Sequence, residues 1–289
     1  VLYRANFQGR ALEEAMLGND VPYQVLGIRF FERKEVKDVI SYLKASLNEE
    51  GLSDLKRIIN VPARGLGKVT ILKIFSGQEE SLPETTRKKV ASFRAILAGI
   101  KEKALTEKQS QTIRHIIKES GIEAELRAGG NDEAERLENI RELVTYASKY
   151  DVFEKPEEGI LRFIEEAALA SDQDELMKGH EAVKLMTVHA AKGLEFEYVF
   201  ITGLEADLFP HKRHDGGKID ERQAEEERRL FYVALTRAKK KLYLSYASIR
   251  TIYGSKQINV PSEFVFDIDD ELIQKEEAFE GGGKIIYLD

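Results

Sequence analysis

The stretch AVKLMTVHAAKGLEFEYVFITG, Ala182–Gly203, decides how this chain is read. Its two ends, AVKLMTVH and YVFITG, are dense in Val, Ile, Leu and Phe. Central strands of a parallel sheet are buried on both faces, so they read as apolar runs rather than as alternations. On the C-terminal side, EEERRLFYVALTRAKKKLYLSYA (225–247) predicts a long helix over about 220–238, then a strand over 241–247. GGGKIIYLD predicts one more strand after a glycine hinge. At the other end of the chain, VLYRA (1–5) is strand-like. GRALEEAMLGND has helical spacing and a Gly-Asn-Asp stop, and VPYQVLG predicts a second strand. RKEVKDVISYLKASLN then places Val36, Val39, Ile40 and Leu43 on one helical face.

Between these regions the texture changes. From about Ser81 to Gly179 the apolar residues recur at helical spacing: Ile113, Ile116 and Ile117; Leu137, Ile140 and Val144; Ile160, Phe163, Ile164, Ala167 and Ala168. The loops AGGND and FEKPEEG separate these stripes. The pattern is α/β, then all-α, then α/β. It predicts a parallel-sheet domain formed by 1–81 and 180–289, interrupted by an all-α insertion over 82–179.

Composition narrows the function. The 289 residues are 42% hydrophobic and 33% charged, which fits a globular chain rather than a disordered one. With no cysteine, disulfides and thiolate metal sites are excluded, and a reducing cytoplasm is the expected setting. No apolar run approaches the ~20 residues of a membrane helix, and no signal peptide is evident. The chain opens at VLYRANF, without Met and inside a strand-like run, which predicts a piece of a longer protein. A net charge of -7 argues against a purely electrostatic nucleic-acid binder, so anion binding must be local. Arg228–Ser262 is one such locality, with eight Lys or Arg and no Asp or Glu.

Several candidate sites compete with plainer readings. GLGKVT (65–70) fails as a phosphate loop, because the position that needs the first Gly is Pro62, which has no N–H. A turn opening a helix is the expectation there, with Arg64 and Lys68 beside amides that could meet a DNA backbone. HKRH (211–214) lacks a third metal ligand and reads as a solvated loop. In TVHAAKGLEFEYVF a strand ends at His189, and Lys192, Gly193 and Glu195 follow just past its C-terminal edge, where open α/β sheets bind ligands. Arg237, near the end of the long helix, either complements the helix dipole or is an arginine finger aimed at a phosphate.

Four stretches in fixed order, LYRANFQGRALEE, GIRFFERKEVKD, LMTVHAAKGLEFEYVF and EEERRLFYVALTRAKKKL, closely resemble the C-terminal half of superfamily-one DNA helicases of the UvrD/PcrA/Rep type. The resemblance reaches from Tyr3 to about Phe264. It implies a second RecA-like motor domain with that family's helical insertion, and a nucleotide pocket shared with an N-terminal RecA-like half. On this half it implies Tyr3 against the adenine, Arg4 and Arg237 at the γ-phosphate, and Glu195 on a ribose hydroxyl, with Lys192 and Gly193 shaping the loop. Thr187 and His189 are implied as single-strand contacts and Tyr253 as an aromatic that stacks on a base. Ser120 and Gly121, in KESGI (118–122), are implied as a grip on duplex backbone.

Gly9 stands where the family usually has Ser. The Walker A loop, the Asp-Glu Mg2+ site and the water-positioning Gln belong to the family's N-terminal half. The resemblance therefore implies ATP and Mg2+ as cofactors, with Mg2+ held by that other half. It implies single-stranded and duplex DNA as partners, no membrane, and a chain that is inactive alone. The rival reading is a non-enzymatic module that binds DNA or a repair partner. A nuclease-helicase relative would carry a further nuclease segment.

Overall fold

The computed structural model describes residues 1–48, 51–172, 182–211, 221–275 and 283–288. It forms two compact units. One comprises Val1–Phe30, Met177–Ile252 and Lys256–Asp289; the other comprises Phe31–Leu176 and Tyr253–Ser255.

The first unit is α/β. Its sheet contains β1 (Leu2–Tyr3), β2 (Tyr23–Val25), β3 (Val183–Thr187), β4 (Phe196–Ile201) and β5 (Ala238–Ala247). A short ribbon, β6 (Ile249–Ile252) and β7 (Ser255–Ile258), forms a separate two-stranded sheet. The strands β8 (Ile273–Lys275) and β9 (Gly283–Leu288) complete the main sheet, whose order is β2-β3-β1-β4-β5-β9-β8. The first five strands are parallel, and β9 runs antiparallel to β5 and β8. The expected strand in GGGKIIYLD is β9.

Leu2 holds the register. It pairs with Met186 on one side and Ile201 on the other. Its side chain joins Met186, Val199, Ile201, Leu242 and Leu244 in a core on one face of the sheet. The helix α10 (Glu221–Leu235) covers that face with Leu230, Phe231 and Ala234. Those residues fall at i, i+3/i+4 and i+7 after Glu227, the spacing of one helical face. Burying the larger two is worth roughly 1.5–3 kcal/mol each. On the opposite face Tyr3, Tyr23 and Leu185 pack beneath Leu12, Met16 and Leu17 of α1 (Gln8–Gly18). Each strand core is thus covered, as a parallel sheet requires.

The second unit is helical: α2 (Lys34–Leu47), α3 (Leu52–Ile58), α4 (Lys68–Phe75), α5 (Glu84–Thr106), α6 (Gln109–Glu119), α7 (Ile122–Arg127), α8 (Asn131–Ala147) and α9 (Pro156–Asp172). Of the expected stripe residues, Ile113, Ile116, Ile117, Leu137, Ile140, Val144, Ile160, Phe163 and Ala167 are buried, Ile164 is half-buried and Ala168 is exposed. The compact helical unit begins at Phe31, not near Ser81. The reason is α2, whose Val36, Val39, Tyr42 and Leu43 are fully buried and which packs on α3, α5, α6 and α8. Charged links hold it there: Asn139 donates to Glu35 (2.9 Å) and Arg57 pairs with Asp38 (2.7 Å). Among the described residues, no helix is long and apolar enough to cross a membrane.

Candidate nucleotide and nucleic-acid sites

Two groups of expected residues lie at opposite ends of the sheet. Arg237 follows α10 and immediately precedes β5. Its Nε donates to Val233 O (2.9 Å), Nη1 to Leu194 O (2.7 Å) and Nη2 to Thr236 Oγ1 (3.0 Å). The Phe196 N–H in turn donates to Arg237 O (2.9 Å). These bonds bring Arg237 against the segment that contains Gly193 and Glu195. Gly193 takes φ +81, a left-handed conformation that suits glycine. Glu195 is exposed and pairs with Lys239 at 3.3 Å. The corner thus presents a guanidinium, the Lys239 ammonium and a carboxylate at the N-terminal ends of β4 and β5.

Glu195 was expected at the C-terminal edge of β3. The register places it elsewhere: Leu2 is level with both Met186 and Ile201, and Phe196 lies five residues before Ile201. At about 3.3 Å per residue the chain travels roughly 17 Å toward the other end of the sheet between β3 and β4. Thr187 and His189 remain at the C-terminal edge. Thr187 Oγ1 accepts the Ala190 N–H (3.3 Å), while His189 and Lys192 are exposed and share the field of Glu226 on α10.

Arg4 and Tyr3 need correction. Arg4 follows β1 at the C-terminal edge, whereas Arg237 precedes β5 at the other. Five residues of β4, one more to Arg237 and two from Leu2 to Arg4 separate their backbones by roughly 26 Å along the strands, more than the two side chains can bridge. Arg4 is instead clamped by Glu227: Nε lies 2.9 Å from each carboxylate oxygen and Nη2 lies 2.5 Å from Oε1. The His211 N–H also donates to Glu227 Oε2 (3.0 Å). Tyr3 is only 3% exposed, its ring enclosed by Tyr23, Leu185 and α1, so no adenine can lie against it. An added Cβ on Gly9 would come 3.1 Å from the Tyr3 hydroxyl.

In the helical unit the expected duplex contacts meet. Arg64 donates to Ser120 O (3.1 Å), and a Cβ on Gly121 would lie 3.5 Å from Pro62. Two turns 56 residues apart are therefore adjacent. The expected turn before a helix is present, since α4 starts at Lys68. The side chains differ from expectation, however. The Arg64 guanidinium points inward to backbone carbonyls, not outward to a phosphate. Ser120 is 4% exposed, with its hydroxyl against Ile117 O and the Ile122 N–H. Gly65, Gly67, Lys68 and Lys118 of the two turns are exposed.

Tyr253 and Gly254 form the turn of the β6–β7 ribbon, both with positive φ (52° and 76°). Arg114 donates to Tyr253 O (2.8 Å) and the Gly254 N–H donates to Thr145 Oγ1 (3.0 Å). The Arg141 guanidinium stands 5.8 Å from the Tyr253 ring centre. Burial pushes the Tyr253 phenol above its ordinary range. The ring is half-buried within the helical unit.

Sequence reasoning missed Glu227 and Glu205. Glu227 shares the inward face of α10 with Leu230, Phe231 and Ala234, so helical phase would have separated it from Glu225 and Glu226. Glu205, 1% exposed, receives Arg250 (2.8 and 2.5 Å), Asn259 (3.1 Å) and the Ala247 N–H (2.8 Å). Nothing local marks it. Of the HKRH loop, residues 212–214 lie outside the described residues. Among the described residues, no group of three or more His, Asp or Glu is placed to hold a metal ion.

A parallel α/β sheet interrupted by helices defines a RecA-like domain with a helical insertion. The sequence model of the UvrD-like helicase C-terminal domain matches residues 1–249, and the chain belongs to that family. It is 36% identical over 292 residues to the ATP-dependent DNA helicase PcrA of Staphylococcus epidermidis, covering 94% of this chain and 40% of that protein. It is 34% identical to the PcrA of Leuconostoc citreum, over 95% of this chain and 39% of the relative. It is 33% identical to DNA helicase II of Escherichia coli, over 95% and 41%. The chain thus spans about two fifths of the length of these relatives.

Proposed function

We propose that this chain is the second motor portion of an ATP-dependent DNA helicase that unwinds 3′ to 5′. Its partner is an N-terminal RecA-like half that carries the phosphate loop and holds Mg2+. The observation that carries the reading is Arg237: a half-buried guanidinium, fixed by Val233 and Leu194 carbonyls, beside Gly193 and Glu195. A guanidinium held this way needs little reorganisation to meet charge on a transferring phosphoryl group. Lys192 and Gly193 shape the loop, and Glu195 is a carboxylate acceptor for a ribose hydroxyl. ATP supplies the phosphoryl group; on this chain the work is closure of the corner around it.

Thr187 and His189, at the other edge of the same sheet, meet single-stranded DNA. The turns at 64–68 and 118–122 meet duplex backbone. Closure and release of the nucleotide corner then shift the edge that holds the strand, a domain movement biased by ligand contacts. Alone, the chain does not hydrolyse ATP.

The test mixes the chain with a separately produced N-terminal RecA-like half and measures DNA-stimulated ATP hydrolysis. Restored activity that falls about 10³-fold or more with Arg237→Ala supports the motor. No restoration, or restoration indifferent to Arg237, favours a binding module and overturns this reading.

A further inference from the structure

The Arg64 guanidinium is engaged on every side. Its Nη1 faces the carbonyl oxygens of Ile58 (3.2 Å), Ile59 (3.4 Å), Val61 (3.0 Å) and Pro62 (3.2 Å). Its Nη2 donates to Tyr42 Oη (2.7 Å) and Ser120 O (3.1 Å). The plane packs against Phe93, 5.1 Å from the ring centre, and Tyr42, 5.9 Å away. The Ile58 and Ile59 carbonyls stand at the C-terminal end of α3, where orphan acceptors and the helix dipole both favour a cation, and those of Val61 and Pro62 follow in the turn. The Tyr42 hydroxyl donates to Val61 O, so it relays the same bond network.

The rest of the turn is built around this anchor. Asn60 Oδ1 accepts the N–H groups of Arg64 (2.7 Å) and Leu66 (3.3 Å). Gly65 takes φ +67, and the Lys89 ammonium lies 3.1 Å from where its Cβ would be. The bond to Ser120 O then ties this turn to the α6–α7 turn, where Gly121 takes φ +88 against Pro62. Arg64 points in; Lys68, Lys89 and Lys118 are exposed around it.

We propose that Arg64 is a positioning residue: it fixes the separation of the 60–68 and 118–122 turns so that both meet one duplex backbone, without touching a phosphate itself. The inference rests on the reading of these turns as duplex contacts. Two backbone contacts add only when their spacing matches the phosphates they meet, and phosphate contacts are what set register on a duplex. A planar five-donor fork can bridge carbonyls on two turns while stacking on Phe93; a lysine ammonium cannot.

The experiment measures binding of the 289-residue chain to a labelled blunt DNA duplex and to a labelled oligo-dT strand across a salt series. Arg64→Lys, which keeps the charge, is expected to weaken duplex binding by about tenfold at every salt concentration. The slope of log K against log salt and the oligo-dT affinity are expected to stay unchanged. If Arg64 were a phosphate contact, Arg64→Lys would retain affinity and Arg64→Met would reduce the slope by about 0.9. Either of those results overturns the proposal.

Amide exchange separates positioning from collapse. In Arg64→Lys, exchange should quicken in both turns together while α6 and α8 stay protected; acceleration confined to one turn also overturns it. Should Arg64→Lys not fold, Tyr42→Phe removes one acceptor of the fork and must give the same duplex-selective loss, smaller in size. A wild-type chain that does not bind the duplex removes the underlying reading, and the proposal with it. Equal duplex binding by wild type and Arg64→Lys removes the proposal alone.

Discussion

Arg4 and Glu227 are 223 residues apart in sequence and form a forked ion pair that joins the end of β1 to the middle of α10. Their side chains are 15% and 9% exposed, and the His211 amide shares the carboxylate. The pair lies between the sheet and the helix that covers it, so it ties together two elements on which both candidate edges depend.

Removing Glu227 leaves a nearly enclosed guanidinium without its anion. Glu227→Ala is expected to destabilise the α/β unit by about 3–5 kcal/mol. The double variant Arg4→Met/Glu227→Met should regain most of that loss, because two apolar side chains replace a pair that had to be desolvated. Urea unfolding of the three proteins checks this. A double variant as unstable as Glu227→Ala would show that the pair does more than match charges.

The helical unit should lose stability in alkali. Burial raises the phenols of Tyr42, Tyr150 and Tyr253 above the ordinary value of 10.0. In Tyr150, hydrogen bonds to Glu166 (2.6 Å) and Tyr146 (2.8 Å) add to the effect. The folded state therefore prefers the neutral form. The associated stability is complete below pH 10.0 and is lost as pH rises through the folded values, because the unfolded chain ionises first. Tyrosinate absorbance and far-UV circular dichroism, followed together through an alkaline titration, should show these phenols ionising only as helicity is lost. Ionisation of all eleven tyrosines near pH 10.0 with helicity intact would contradict the packing described.

His189→Ala tests the edge proposed for single-stranded DNA. His189 is exposed just beyond β3. Oligo-dT affinity is expected to fall roughly tenfold, about the value of one lost base contact, while duplex affinity holds. Anisotropy titrations with the two ligands make the comparison, and an equal loss on both would remove the assignment.

Most elements of the fold were legible because they are local. Apolar runs marked β3 and β4, and 3.6-residue stripes marked α6, α8 and α9, since each depends on neighbours within a few residues. The motif order in LYRANF, TVHAAKGLEF and ALTRAKKK likewise identified the family without coordinates. Only the tertiary structure decided that β1 lies between β3 and β4, because that pairing joins residues 184 positions apart, Leu2 and Met186, through a shared core. That register split the expected nucleotide cluster, with Arg237 and Glu195 at one end of the sheet and Arg4 at the other, beside the expected strand contacts Thr187 and His189. Tertiary packing also gave Arg4 and Arg64 partners inside the protein. A sequence states that a residue carries a guanidinium; the direction that guanidinium faces is set by distant carbonyls and carboxylates, which become its neighbours only when apolar burial brings them close.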